Sequence, residues 1–392
     1  MSRKTIAMII LSEGIGGAEA VVRQIARHLD KSRYECLVIT NDEIENYYRE
    51  AGLTTLSAGA LYERSKFPVV NKVARKIKAR LPGLARARVR AKAGCLLELL
   101  RAHHIQLLHS HLLPDSYLAS LLAPGAVARV MTVHGGLGLD VKMRGLLSRK
   151  RVLAVMDKAD FLTSACRYLL NLLHDNGIDL RDRSAVIDNG IDAERLPPRE
   201  PAEDRGPADV LKMVFLGGAR YVKGGDLLAQ ALNIVVNERR RTNVRLLVLR
   251  NIPHRSQMYR CLHARRLLDH VDLIGYVRKE GHLDYIQRSD LYVLPSRSEG
   301  VANTLMEAIG LGKAILATDV GGTGEVVSHG VNGYLCQPTP ESIADGIEYF
   351  LKTPAQLREF SRKNVELRPR FFWPRIAAQY EDLYERLLSR RR

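Results

Sequence analysis

Between Pro295 and Gly322 the chain reads PSRSEGVANTLMEAIGLGKAILATDVGG, with two acids, Glu299 and Glu307, on either side of a glycine. Gly300 permits a tight turn, and Val301, Ala302, Asn303 and Thr304 are expected to open a helix whose N–H groups and dipole face whatever lies in front. Such a helix start binds phosphate groups. Each hydrogen bond to a charged oxygen contributes about 1.5–3 kcal/mol, against roughly 0.3–1 kcal/mol for the dipole alone, so the amide contacts dominate. Glu307 falls one turn beyond Asn303 on the same helix face, where its carboxylate can accept from vicinal hydroxyls such as those of a ribose. For an isolated pair of acids a plainer reading has equal weight: helix-start carboxylates favoured by the macrodipole.

Other candidates are scattered. Lys223-Gly224 closes the loop LGGARYVKG, which also carries Arg220. Gly14-Ile15-Gly16-Gly17 is not a dinucleotide fingerprint, since the third glycine of G-x-G-x-x-G would fall at Glu19. It reads as a loop that lets a ligand phosphate or sugar approach the backbone at Gly16 and Gly17, or as a simple strand-to-helix turn. His134 ends the run VARVMTV before Gly135-Gly136, an imidazole with little steric cover. His109 and His111 project from one face of a strand. Without a third ligand they make a poor metal site, and they belong to a binding surface or to the core, with His111 the nearer to the strand end. The five cysteines lie far apart with no Cys-x-x-Cys pair, which disfavours a disulfide framework or a zinc site and fits a reducing cytoplasm.

The elements that position these residues follow from hydrophobic periodicity. Short apolar runs (IAMIIL, YECLVIT, IQLLHSH, VARVMTVHG, ADFLTSA) alternate with amphipathic stretches such as GAEAVVRQIARHL, the pattern of a parallel sheet with crossover helices. A second series runs LKMVFLGG, VRLLVLR, VDLIGYV, DLYVLPS, KAILATD and GYLCQ. At 392 residues the chain is long for one core. The proline- and charge-rich stretch LPPREPAEDRGP at 196–207 separates the two series as a linker. The expected domains are residues 1–196 and 208–370, with a last helix, 371–392, whose Ile376, Tyr380, Leu383, Tyr384 and Leu387 form an apolar face. Usage of 46% hydrophobic and 26% charged residues is that of a globular protein. The first apolar run is too short for a signal peptide, and no stretch approaches a membrane span.

The formal net charge is +17, an excess that calls for an anionic partner because self-repulsion opposes the compact state. Arg64 to Lys92 holds eleven Lys or Arg and no acid, interleaved with Phe67, Val69, Val70, Val73, Ile77, Leu81 and Leu84. It reads as an interfacial amphipathic element, with roughly 1 kcal/mol per basic residue available at an anionic membrane surface, or as a solvated charged face. Nucleic acid is a weak candidate, because stacking platforms and a recognition motif are lacking.

The spacing of Glu299 and Glu307, the Pro-Ser before them and Gly321-Gly322-Thr323-Gly324-Glu325 after them together resemble family 4 of the glycosyltransferases, which have the GT-B fold. The resemblance spans nearly the whole chain: Gly16-Gly17-Ala18-Glu19 is similar to the family's first loop, Val186 to Asp192 (VIDNGID) to its Asn-Gly-Val-Asp stretch, and Lys223-Gly224 to its phosphate lysine. It implies an α/β chain of two Rossmann-like domains whose parallel sheets face a cleft, with the last helix crossing back to the first domain.

It further implies a retaining, metal-independent transfer from a nucleotide diphosphate sugar to an acceptor hydroxyl, with no cofactor. Lys223 would neutralise the diphosphate, Glu299 and His134 would contact the transferred sugar, Val277 in the loop at Gly275–Val277 would meet the base, and His111 would lie on the acceptor side. The family's Gly-Arg pair before the lysine is replaced here, and Arg220, displaced toward Lys223, is either its substitute or a surface arginine. The basic segment points to an acceptor in the bacterial envelope, a lipid-linked saccharide or lipopolysaccharide core, met by a cytoplasmic protein peripheral to the inner membrane face. A nucleotide-sugar epimerase of similar fold and a nonenzymatic basic binding module are the rival readings.

Overall fold

The computed structural model describes residues 3–59, 82–135, 148–196, 209–277 and 281–390, and side chains from Arg90 onward in the helix Pro82–Ala102. Residues 64–81 of the basic segment, and most of the proline-rich stretch at 196–207, lie outside the described residues. The chain forms two compact units. The first comprises Met1–Ala165, Leu169–Asp188 and Trp373–Arg392, and the second Cys166–Tyr168 and Asn189–Phe372. The division therefore falls between Asp188 and Asn189, inside VIDNGID, rather than in the proline-rich stretch, and the return falls between Phe372 and Trp373. The residues that follow Asp188 are bonded into the second unit: Ile191 N–H donates to Phe371 O at 2.6 Å.

In the first unit seven strands, β1 (Lys4–Ile10), β2 (Tyr34–Thr40), β3 (Thr54–Ser57), β4 (Leu107–Ser110), β5 (Ala128–Val133), β6 (Phe161–Ser164) and β7 (Ser184–Val186), make one parallel sheet in the order β3-β2-β1-β4-β5-β6-β7. Ile6 to Ile10 have no exposed surface, as expected for a strand covered by helices on both faces. Helix Gly17–His28 covers one face, and the last helix, Trp373–Ser389, packs beside it. Trp373, Ile376, Tyr380, Leu383, Tyr384 and Leu387 all join the first unit's core. At about 1.5–3 kcal/mol for each large apolar side chain buried, this stripe fixes the chain end to the first unit, the crossing that the family resemblance implies. The same helix donates carboxylates to the sheet edge: Glu381 Oε1 accepts from Asp30 N–H at 2.7 Å and Glu385 Oε1 from Tyr34 Oη at 2.7 Å.

In the second unit β8 (Leu211–Phe215), β9 (Val244–Leu249), β10 (Val271–Gly275), β11 (Leu291–Leu294), β12 (Ala314–Thr318) and β13 (Tyr334–Cys336) form a parallel sheet ordered β10-β9-β8-β11-β12-β13. Both sheets thus grow outward from their first strand in one direction and then in the other. The reversal leaves a crevice outside the carboxyl ends of β1 and β4 in the first unit and of β8 and β11 in the second, the place where open α/β sheets bind ligands. Among the described residues no helix is long and apolar enough to cross a membrane.

Candidate functional site

The loop after β8 ends in a turn, Tyr221–Lys223, and the strand β11 runs out into Pro295–Ala302, so the reversal in the second sheet sets these two segments side by side. Two glycines allow their backbones to close up. Gly224 has φ +66°, and a Cβ there would stand 1.8 Å from Pro295 O; Gly321 has φ +58°, and its Cβ would stand 1.8 Å from Glu299 O. No other residue fits either position. Gly300, by contrast, is not left-handed and serves as a backbone acceptor, its carbonyl receiving Gly322 N–H at 3.0 Å.

Lys223 Nζ lies 2.6 Å from Glu299 Oε1, which also accepts from Ser296 Oγ at 2.6 Å. The two residues singled out in distant parts of the sequence are therefore neighbours, with the Glu299 side chain nearly buried and Lys223 about a quarter exposed. Arg297, absent from the sequence-derived candidates, fastens the lysine turn. Its guanidinium forks onto Asp226 at 2.7 and 2.6 Å, donates to Tyr221 O at 2.8 Å and lies 4.0 Å from the Tyr221 ring centroid, while its own N–H donates to Val222 O at 2.8 Å. Its only sequence signal is adjacency to Glu299. Arg220 is exposed, three residues before Lys223.

The helix beyond Glu299 is Asn303–Gly310, so Val301 and Ala302 precede it rather than belong to it. Ala302 occupies the cap and has no side-chain oxygen for the first-turn amides. A helix start without a side-chain cap suits an external anion. Asn189, from VIDNGID, holds this start by donating to Val301 O at 3.1 Å and to Asn303 Oδ1 at 2.8 Å, and Thr304 Oγ1 is 2.7 Å from Tyr292 Oη. Glu307, one turn on, meets His282 Nε2 at 2.9 Å. No sequence signal marks His282, because the contact joins two helices that only the fold brings together. Val277 is partly exposed at the end of a described stretch, after Tyr276, which is 71% exposed.

At the first unit's reversal, His111 follows β4 and His134 follows β5. Their rings stack at 5.4 Å, with His111 Nδ1 3.2 Å from His134 Nε2, so His134 is covered by His111 rather than open. His109 is buried behind them, bonded through Nδ1 to Tyr384 Oη at 2.8 Å and through Nε2 to Thr132 Oγ1 at 2.6 Å. Burial lowers all three: His109 to about 3, His134 to about 4 and His111 well below the usual imidazole value. The lowered values keep all three imidazoles neutral, His111 and His134 share a hydrogen bond, and His111 Nε2 is buried without a partner.

Gly16 precedes helix Gly17–His28, and its N–H donates to Glu19 Oε2 at 2.8 Å, so that amide is occupied by the chain's own capping acid. Gly17 is the helix's first residue and is exposed. Sequence reading missed Asp115, wholly buried beside this loop. Burial pushes its carboxyl up to about 8, Oδ1 accepts from Leu11 N–H at 3.1 Å, and Oδ2 has no partner. Among the described residues no three His, Cys, Asp or Glu side chains gather into a metal cage.

Comparison with known proteins identifies the family and the fold. The model for glycosyl transferases group 1 matches residues 199–367, and that for glycosyltransferase family 4 matches residues 15–195. An uncharacterised glycosyltransferase of Methanocaldococcus jannaschii is 24% identical over 295 residues, 74% of this chain and 78% of its own. Sucrose-phosphate synthase from Thermosynechococcus elongatus superposes with a TM-score of 0.76 at 18% identity, over 99% of this chain and 100% of that one. The Anabaena protein Alr3699/HepE, solved in complex with UDP-glucose, gives 0.74 at 17% identity, over 97% and 99% of the two chains. At these identities the structural likeness is one of fold, the GT-B arrangement of two Rossmann-like domains.

Proposed function

The chain belongs to the glycosyltransferases of group 1 and family 4, and on that premise we propose that it moves a sugar from a nucleotide diphosphate donor to an acceptor hydroxyl with retention of anomeric configuration. The observation that carries the donor site is the meeting of Lys223 with Glu299 at the sheet reversal, beside a helix start that lacks a side-chain cap. UDP-glucose, with which the Anabaena protein of similar fold was solved, is a donor of this class. Membership of a transferase family sets aside the epimerase and the nonenzymatic module.

In this reading the donor diphosphate lies against Lys223, Arg220 and the amides of Gly300 to Thr304. Charge that develops on the departing nucleotide is met by groups already in place, the arrangement that lowers an electrostatic barrier most. Glu307 accepts from the ribose hydroxyls through the oxygen that His282 leaves open, and Val277 meets the base. Glu299 holds the transferred sugar on the second unit. The acceptor hydroxyl attacks from the face the nucleotide leaves, its proton passing toward the leaving phosphate, with no covalent intermediate and no metal ion. Gly16 and Gly17 line the approach on the first unit, and His111, with Nε2 unpartnered, serves the acceptor side.

The first unit with the last helix is the acceptor half, and the second unit is the donor half. The acceptor is an envelope glycan or lipid-linked saccharide, a reading supported by the basic stretch 64–92, which would bring the protein to an anionic membrane face. A thermal-shift screen of nucleotide diphosphates and their sugars tests the donor assignment: one base should raise the melting temperature, and no response from any would overturn it. Flotation with anionic liposomes tests the membrane assignment, which equal recovery with neutral liposomes would remove.

A further inference from the structure

Arg250, directly after β9, has φ +79°, a left-handed conformation that a residue with a Cβ adopts at a cost in free energy. Four other non-glycine residues have positive φ, at 50–58°: His104, Arg240 and Arg266 follow helices, and Asp182 lies in a turn. Arg250 is different. It stands at the carboxyl edge of the second sheet, its N–H donating to Gly275 O at 2.5 Å. Its side chain lies over the loop that ends in Lys223, since a Cβ built on Gly218 would come 3.3 Å from Arg250 Cβ and 3.7 Å from Arg250 Cδ. The residue is exposed, and its guanidinium has no partner among the described residues. No acid occurs from Arg250 to Leu268.

Charge balance shows what is missing at this edge. Lys223 is already matched by Glu299 at 2.6 Å, so the pair presents little net charge to a diphosphate. Beyond the exposed Arg220 on the same loop, further positive charge has to come from cations beside it. Strained backbone persists where the surroundings over-determine it, and it clusters at ligand sites.

We infer that Arg250 is a ligand of the donor diphosphate, a fixed guanidinium reaching over Gly218 that supplies the charge Lys223 shares with Glu299. The inference rests on the donor reading above. A guanidinium is suited to the task because its planar fork matches two phosphate oxygens at once. Gly218 leaves the space that the arginine stem occupies.

The test is calorimetric titration of the full chain with UDP, GDP and ADP, taking forward the tightest. Arg250→Gly removes both strain and charge, so it should melt above the wild type while binding that diphosphate about tenfold more weakly or worse. Arg250→Lys should recover part of the affinity and Arg250→Gln none. Wild-type affinity in Arg250→Gly, or equal recovery by Gln and Lys, overturns the inference. Lys223→Ala, measured alongside, separates the two levels: if it loses binding while Arg250→Gly does not, only the role of Arg250 fails. If it too binds normally, the donor reading fails.

Discussion

Glu299 Oε1 holds the ammonium of Lys223 and the hydroxyl of Ser296, each at 2.6 Å. A diphosphate arriving at Lys223 must share it with this carboxylate or displace it. The ion pair is therefore a competitor for the donor as well as a means of placing the lysine.

That competition can be measured. Glu299→Gln removes the charge and keeps the shape, so it should bind nucleoside diphosphate at least as tightly as the wild type. Transfer should nevertheless fall about a hundredfold, the scale on which one preorganised group acts. Weaker diphosphate binding in this variant would show that Glu299 serves the phosphate rather than the sugar.

Arg297 acts through Lys223. Asp226 is nearly buried, and removing its partner leaves an uncompensated charge, so Arg297→Ala should lower the melting temperature and cut kcat about tenfold or more. Arg297→Lys cannot reproduce the fork and should recover little. In a Lys223→Ala background, Arg297→Ala should cost little further activity, a coupling that a double-mutant cycle measures directly. Additive losses would assign Arg297 to stability alone.

Glu307 and His282 are expected to separate binding from chemistry. Loss of the ribose acceptor in Glu307→Ala should raise the donor KM about tenfold to a hundredfold, with kcat changed less. His282→Ala should raise it by a smaller factor, because the carboxylate loses its orientation but not its charge. A fall in kcat alone for either variant would place them away from the donor.

The opposite shifts of Asp115 and the three histidines shape stability with pH. The folded Asp115 carboxyl is raised to about 8, so the native state holds a proton that the unfolded chain releases, and stability falls as pH rises from about 4 through 8. His109, His111 and His134 are lowered. The unfolded chain therefore binds protons that the native state refuses, and stability also falls as pH drops below the ordinary imidazole range. Melting temperature against pH should be domed, and Asp115→Asn should flatten the alkaline side. An unchanged alkaline slope in that variant would contradict the assignment.

Much of this was legible in the residues. Fully buried strands such as IAMIIL and VFL announce themselves because helices cover both faces, and the apolar stripe of the last helix marks it for docking. Glu299 and Glu307 stood out because strand ends and helix starts have short-range signatures, and Lys223 stood out through the family resemblance. Arg297, His282, Asp115 and Arg250 did not, since each acts through a contact between elements far apart in sequence. The helix expected at Val301 begins at Asn303, because the backbone first runs past Gly322 and Asn189. The compact units divide within VIDNGID, where composition gives no sign of a division, whereas the two family models meet at 195–199, at the edge of the expected linker LPPREPAEDRGP.

Lys223 is the residue through which the second unit is proposed to hold a nucleotide diphosphate donor, and that role is open to titration. Its most direct test is titration of the wild type and Lys223→Ala with the nucleoside diphosphate that best raises the melting temperature. Saturable binding by the wild type and a loss of about tenfold to a hundredfold in the variant are expected. Equal affinity in the two proteins would contradict that role.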